Sequence, residues 1–208
     1  MNENLIEIDD ILNVEKHING LEAVIFDLDD TLYSEKEYVR SGYKKIAEKF
    51  GEAEIEDELW SAFLKHEPAI DVVLEKHGLS DRKAEVLSIY RKQNPDIHLY
   101  PGVVEMLERI AQNLKIAIVS DGRPEGQRAK IRALGLENIP FIITDDLGGM
   151  EYRKPCDRAF KLMLKELNTP PERAAYIGDN IHKDFIAPEK IGMRCIWFKN
   201  KDGLYYVR

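Results

Sequence analysis

The sequence predicts an α/β fold, a three-layer sandwich with a central parallel sheet and an inserted helical cap. The first observation behind this reading is a set of short apolar runs: Ala23–Phe26, Ile116–Val119, Phe141–Thr144, Ala174–Ile177 and Cys195–Phe198. Most carry β-branched or aromatic residues and end in polar or glycine-containing turns, as buried strands do. The second is the helical periodicity between them. Val103, Met106, Leu107, Ile110 and Leu114 recur at helical spacing, as do Ala159, Phe160, Met163, Leu164 and Leu167. Strands alternating with amphipathic helices form a parallel sheet covered on both faces. The third is the long interval between the first two strands.

Residues 1–20 precede the first strand. There Leu5, Ile6, Ile8, Ile11, Leu12 and Val14 suit either a strand or a helix packed on the core. About ninety residues separate Phe26 from Ile116, far more than one crossover needs. Within them, 36–49, 54–65, 68–77 and 81–93 read as helices, with Gly51, Pro68 and Gly78 as punctuation, and Asn94-Pro95 and Tyr100-Pro101-Gly102 mark the return to the core. Residues 34–99 are therefore expected to form a helical cap over the C-terminal edge of the sheet. Residues 1–33 and 100–208 are expected to form the catalytic core.

The 208 residues suffice for one large domain or a core with an insertion, and 33% charged and 44% hydrophobic residues are ordinary for a globular protein. A net charge of −8 and a pI near 5.3 argue against nucleic acid or an anionic membrane as main partner. They leave room for a phosphorylated substrate, because a metal and a lysine reverse the sign inside a pocket. Cys156 and Cys195 are too few for a disulfide framework. Cys195 reads as core, and Cys156 as an inert thiol at a helix start. No apolar stretch approaches the ~20 residues of a membrane span, and the acidic N-terminus lacks the basic start of a signal peptide. The expectation is a cytoplasmic enzyme, monomer or homodimer, acting on a small molecule.

The chemistry is concentrated at strand ends. Ala23-Val-Ile-Phe-Asp-Leu-Asp-Asp-Thr-Leu32 runs a buried strand into Asp27 and Asp29. Two carboxylates this close repel, so they need a cation, a shared proton or divergent side-chain directions. Taken alone, the segment equally suits a turn with Asp30 or Thr31 as helix cap. The other strand ends weigh against turns alone. Ser120-Asp121-Gly122 follows the second strand, a loop to Arg153-Lys154-Pro155 the third, and Gly178-Asp179-Asn180 with Asp184 the fourth. Parallel strands bring all of these to one edge. Asp184 also suits a cap for a helix beginning near Phe185. His66, His77, His98 and His182 have no metal-ligand spacing. Neither a Gly-x-x-x-x-Gly-Lys-Ser/Thr nor a Gly-x-Gly-x-x-Gly loop is present, which argues against an ATP-dependent kinase and a dinucleotide enzyme.

Together these motifs resemble those of the haloacid dehalogenase-like (HAD) superfamily, whose members are mostly phosphatases. Asp27-Leu-Asp-Asp-Thr-Leu32 is similar to the first motif, Ser120 to the second, Lys154 to the third, and Gly178-Asp179 with Asp184 to the fourth. The insertion resembles the helical (C1-type) cap of one subclass, and the leader before the first motif is longer than usual. The resemblance implies a Rossmann-like core and Mg²⁺ held by a carboxylate oxygen of Asp27, the backbone carbonyl of Asp29 and the carboxylate of Asp179, with Asp184 supporting a bound water or the lysine. It also implies Asp27 as nucleophile, Asp29 as proton donor and acceptor, and Lys154, Ser120 and the amides near Asp121 and Gly122 as phosphoryl ligands. The proton-transfer role calls for an Asp29 pKa above the ordinary carboxylate value.

The implied function is a Mg²⁺-dependent phosphomonoester hydrolase acting through an aspartyl-phosphate on a sugar phosphate or nucleoside monophosphate. The rivals are a phosphomutase of the same fold, a metal-independent 2-haloacid dehalogenase, and a non-enzymatic binding module. The last is expected to have lost Asp27, Asp29 or Lys154, all of which this chain keeps.

Overall fold

The computed structural model describes residues 5–52, 54–204 and 206. Six strands form one parallel sheet: β1 (Leu5–Ile8), β2 (Ala23–Phe26), β3 (Lys115–Ser120), β4 (Phe141–Ile143), β5 (Ala174–Gly178) and β6 (Arg194–Phe198), in the order β1-β6-β5-β2-β3-β4. The sequence expectation recovers β2 to β6 to within a residue at each end. The undecided leader contributes β1, paired with β6, and a 3-10 helix over Ile11–His17.

Alternation along β2 divides the core. Val24 and Phe26 pack on one face with Met106, Leu107 and Ile110 of α5 (Val103–Ala111) and Ile131 of α6 (Pro124–Ala133). Ala23 and Ile25 pack on the other with Phe160 and Met163 of α7 (Arg158–Glu166) and Ala187 of α8 (Ile186–Lys190). The result is the expected three layers. β2 is central and wholly buried, so it reads as a continuous apolar run rather than an alternating one.

Between β2 and β3 lie α1 (Glu35–Phe50), α2 (Glu54–Leu64), α3 (Ala69–Lys76) and α4 (Lys83–Arg91). They enclose a core of their own, including Tyr43, Ile46, Leu59, Val73 and Val86. The chain entering this insertion and the chain leaving it meet. Tyr33 bridges to Leu99, and the Tyr100 N–H donates to the Leu32 carbonyl at 2.9 Å.

Asp30 secures this junction in a left-handed conformation, φ 52°, which a short polar side chain tolerates. Its carboxylate accepts the N–H groups of Glu35 (2.9 Å) and Leu204 (2.7 Å), while its carbonyl accepts Asn200 Nδ2 (2.8 Å). The capping alternative thus holds for Asp30 at the start of α1.

Candidate active site

β2 lies between β3 and β5; the connection from β2 runs to β3 on one side and that from β5 to β6 on the other, which opens a crevice at their C-terminal ends. Asp27 sits there. Its N–H donates to the Ile177 carbonyl at 2.8 Å, extending the ladder one residue past β2 and fixing the carboxylate in the crevice.

The buried ammonium of Lys154 lies 2.6 Å from Asp27 Oδ1 and 2.9 Å from Asp184 Oδ1, and donates to the Tyr176 hydroxyl at 2.8 Å. Asp121 fixes the Lys154 loop. It accepts the Lys154 N–H and the Thr144 hydroxyl, each at 3.0 Å, and pairs with Lys183 at 2.8 Å.

At the end of β5, Asp184 folds back so that Oδ2 accepts the Asn180 N–H at 2.9 Å. A Cβ on Gly178 would lie 2.4 Å from that oxygen, so only glycine admits the fold-back. The side chain therefore faces Lys154 rather than the start of α8, and the helix-cap alternative for Asp184 does not hold. Asp179 is positioned by Trp197, whose Nε1 donates to the Asp179 carbonyl at 2.8 Å.

One carboxylate oxygen from each of Asp27, Asp179 and Asp184 lies within 4.8 Å of the other two, and all three residues are buried. Burial pushes the Asp27 carboxyl up to about 7 against the pull of Lys154. Burial, with the charges of Asp27 and Asp184, pushes Asp179 up to about 9. Asp184 Oδ1 is close to Lys154 yet lacks hydrogen-bond geometry. Three clustered buried carboxylates, two of them against the Lys154 ammonium, with an all-oxygen donor set and an orphaned oxygen, fit a hard divalent cation such as Mg²⁺.

Asp29 points elsewhere. Oδ1 accepts Lys130 Nζ at 2.6 Å and the Tyr33 hydroxyl, and Oδ2 accepts Gln127 Nε2 at 2.8 Å. The same Gln127 nitrogen donates to Ser120 Oγ at 2.5 Å, and Lys130 also lies over the Tyr38 ring, 4.3 Å from its centroid. The two acids separated by one residue thus diverge, and each has its own ammonium. The raised Asp29 pKa that a proton-transfer role calls for is not what these partners give. Burial raises it, but Lys130, Tyr33 and Gln127 together bring it below the ordinary value. The raised carboxyl nearby is Glu35, pushed up to about 8 by burial and by Asp29.

Sequence reasoning did not single out Gln127, Lys130, Lys183 or Tyr176. Gln127 and Lys130 are three apart and share a face of α6, but nothing local shows that this face meets the end of β2. A cleft of about 440 Å³ opens from Asp29 and Gly122 between the insertion and α6. Among the described residues, no helix is long and apolar enough to cross a membrane.

The sequence profile of haloacid dehalogenase-like hydrolases matches residues 24–198. Glyceraldehyde 3-phosphate phosphatase of Methanocaldococcus jannaschii is 30% identical over 192 residues, covering 83% of this chain and 82% of that protein. The Pyrococcus furiosus protein of the same name is 27% identical over 199 residues, covering 86% and 81%. The crystal structure of a subfamily IA HAD-superfamily hydrolase from Geobacter sulfurreducens superposes with a TM-score of 0.65 at 16% identity, covering 84% of this chain and 85% of that one, a likeness of fold.

Proposed function

Because the chain belongs to the haloacid dehalogenase-like hydrolase family, we propose that it is a Mg²⁺-dependent phosphomonoester hydrolase that acts on a small phosphorylated metabolite through an aspartyl-phosphate. The observation that carries this reading is the Asp27 carboxylate, held at the end of β2 with Lys154 at 2.6 Å and Asp179 and Asp184 beside it.

Asp27 would attack the phosphorus, forming the Asp27–phosphate bond as the ester oxygen leaves. The cation held by Asp27, Asp179 and the Asp29 carbonyl, with Asp184 beside them, would supply the charge neutralisation that lets an anionic phosphate approach a carboxylate. Lys154 places a fixed positive charge at the transferring group. The Ser120 hydroxyl and the amides of Asp121 and Gly122 hold its remaining oxygens. Asp29 gives a proton to the leaving oxygen and takes one from the water that hydrolyses the intermediate. Its pair with Lys130 favours the ionised form, so the resting geometry suits the second half of the cycle.

Residues 34–99 act as a cap that closes over the leaving group and excludes water. The relatives named for glyceraldehyde 3-phosphate favour a small sugar-like phosphate over a nucleoside monophosphate. A screen of phosphorylated metabolites with Mg²⁺ tests the reading by phosphate release. Turnover is expected for the parent and loss of more than a thousandfold for Asp27→Asn. Activity of that variant within tenfold of the parent would rule out the covalent route.

A further inference from the structure

We propose that the cleft beyond Asp29 is an anion subsite, selecting phosphomonoesters whose leaving group carries a second anionic group, a carboxylate or another phosphate. This rests on the hydrolase reading and names its substrate class.

The protein carries −8, and four acids, Asp29, Glu35, Asp121 and Glu125, line the cleft with four cations. Lys130 is taken up by Asp29, and the other three cations are Arg91 and Lys92 at the end of α4, and Arg123 ahead of α6. They come from both sides, the insertion and the core. All three are exposed, and none is in an ion pair among the described residues. The acids that line the cleft do not offset them fully. Asp29 is paired with Lys130, and Asp121 with Lys183. Glu35 lies at the floor beside Asp29 and Lys130, which leaves Glu125 as the opposing charge on the rim. Past Ser88 and Lys92 the surface continues into an open groove bordered by Lys49 and by Lys45, which is paired with Glu48 at 2.9 Å.

Like charges facing one another across a cleft repel, and an anion between them removes that repulsion. The cleft starts at the carboxylate that faces the leaving oxygen, and its volume is that of a small-metabolite site. An anion a few bonds from the scissile ester would then sit against Arg91, Lys92 and Arg123 while the phosphoryl group stays at Asp27. Because these side chains are exposed, the attraction is screened over ~8 Å at physiological ionic strength and must weaken with salt.

The test uses the full chain with Mg²⁺ and matched esters. 3-Phosphoglycerate is compared with glyceraldehyde 3-phosphate, which differ by a carboxylate in place of an aldehyde. Fructose 1,6-bisphosphate is compared with fructose 6-phosphate, which differ by a second phosphate. At low salt, in at least one pair the member with the second anionic group is expected to exceed its partner tenfold or more in kcat/KM, mainly through KM, with the ratio falling as NaCl is raised to 0.5 M. The pair that shows the preference identifies the anion.

Arg91→Gln/Arg123→Gln should cut that ratio at least fivefold, Arg91→Lys/Arg123→Lys should retain most of it, and unfolding temperatures confirm that both variants fold. Calorimetric binding of the same esters to Asp27→Asn should show the same ranking without turnover. Release of phosphate from p-nitrophenyl phosphate with no preference for the second anionic group, or a preference that the double Gln variant leaves intact, would overturn the inference alone. No release from any ester would overturn the hydrolase reading, and the inference with it.

Discussion

Replacing Lys154 with Met tests whether this ammonium is what keeps the buried carboxylates of Asp27 and Asp184 together. Its side chain is fully buried, 2.6 Å from Asp27 and 2.9 Å from Asp184. Met fills most of the same volume, so the cavity contribution is small. What remains is the loss of a buried partner, which costs about 3–5 kcal/mol. For a chain of this size each kcal/mol lowers the unfolding temperature by about 2–4 °C, so a fall of roughly 10 °C is expected at pH 8 without divalent cation.

The deficit should depend on pH. Folding raises the Asp27 pKa to about 7, so the native state holds a proton that the unfolded state has released. Stability therefore falls as pH rises from about 4 to 7. Without Lys154 the same carboxyl holds its proton to higher pH, and the fall extends further. The difference between parent and variant should thus be smaller at pH 5, where only the Asp184 pair is lost, than at pH 8. Thermal unfolding followed by circular dichroism in EDTA measures both. Adding Asp184→Asn to Lys154→Met should recover part of the loss, because the two sites are coupled. A variant within 2 °C of the parent at pH 8, or a deficit that does not change between the two pH values, would refute the electrostatic account.

Three further outcomes are expected. Asp29→Asn keeps the backbone carbonyl but cannot move a proton, so alkyl phosphates should lose at least tenfold more kcat than p-nitrophenyl phosphate; equal losses, with no labelled phosphoenzyme trapped, would remove Asp29 from proton transfer. EDTA should abolish turnover, Mg²⁺ restore it and Ca²⁺ inhibit, because Ca²⁺ prefers more ligands than this donor set arranges; full activity in EDTA would favour the dehalogenase alternative. Gly178→Ala should cost about 1–3 kcal/mol by crowding Asp184, and should raise the Mg²⁺ concentration needed for half-maximal activity; unchanged denaturation and Mg²⁺ curves would show that the fold-back tolerates a Cβ.

Much of this architecture was legible because its signals are local. β2 to β6 are apolar runs bounded by turns, and α1 to α4 follow their periodicity and punctuation to within about two residues at each end. The acids at the strand ends were legible for the same reason, since a parallel sheet brings every strand terminus to one edge. The surroundings of Asp29 were not. Lys130 and Gln127 lie about a hundred positions away, and only the packing of α6 delivers them. Proton transfer calls for a raised Asp29 pKa, whereas an ammonium distant in sequence brings it below the ordinary value. β1 was equally hidden, because its four residues form an edge strand whose half-buried pattern suits a helix as well.

The position of β1 constrains the order in which the molecule can assemble. Leu5 pairs with Cys195, 190 positions later, and β1 has no other partner strand among the described residues. Pairing these two strands in an otherwise unfolded chain would close the long segment from Asp9 to Met193 into one loop. Once β2, β5 and β6 are in place, β1 needs to close only the 14 residues from Asp9 to Glu22. Loop-closure entropy favours the second order by about 2 kcal/mol. β1 is synthesised before β6 and therefore docks after it, waiting through translation for an edge that does not yet exist.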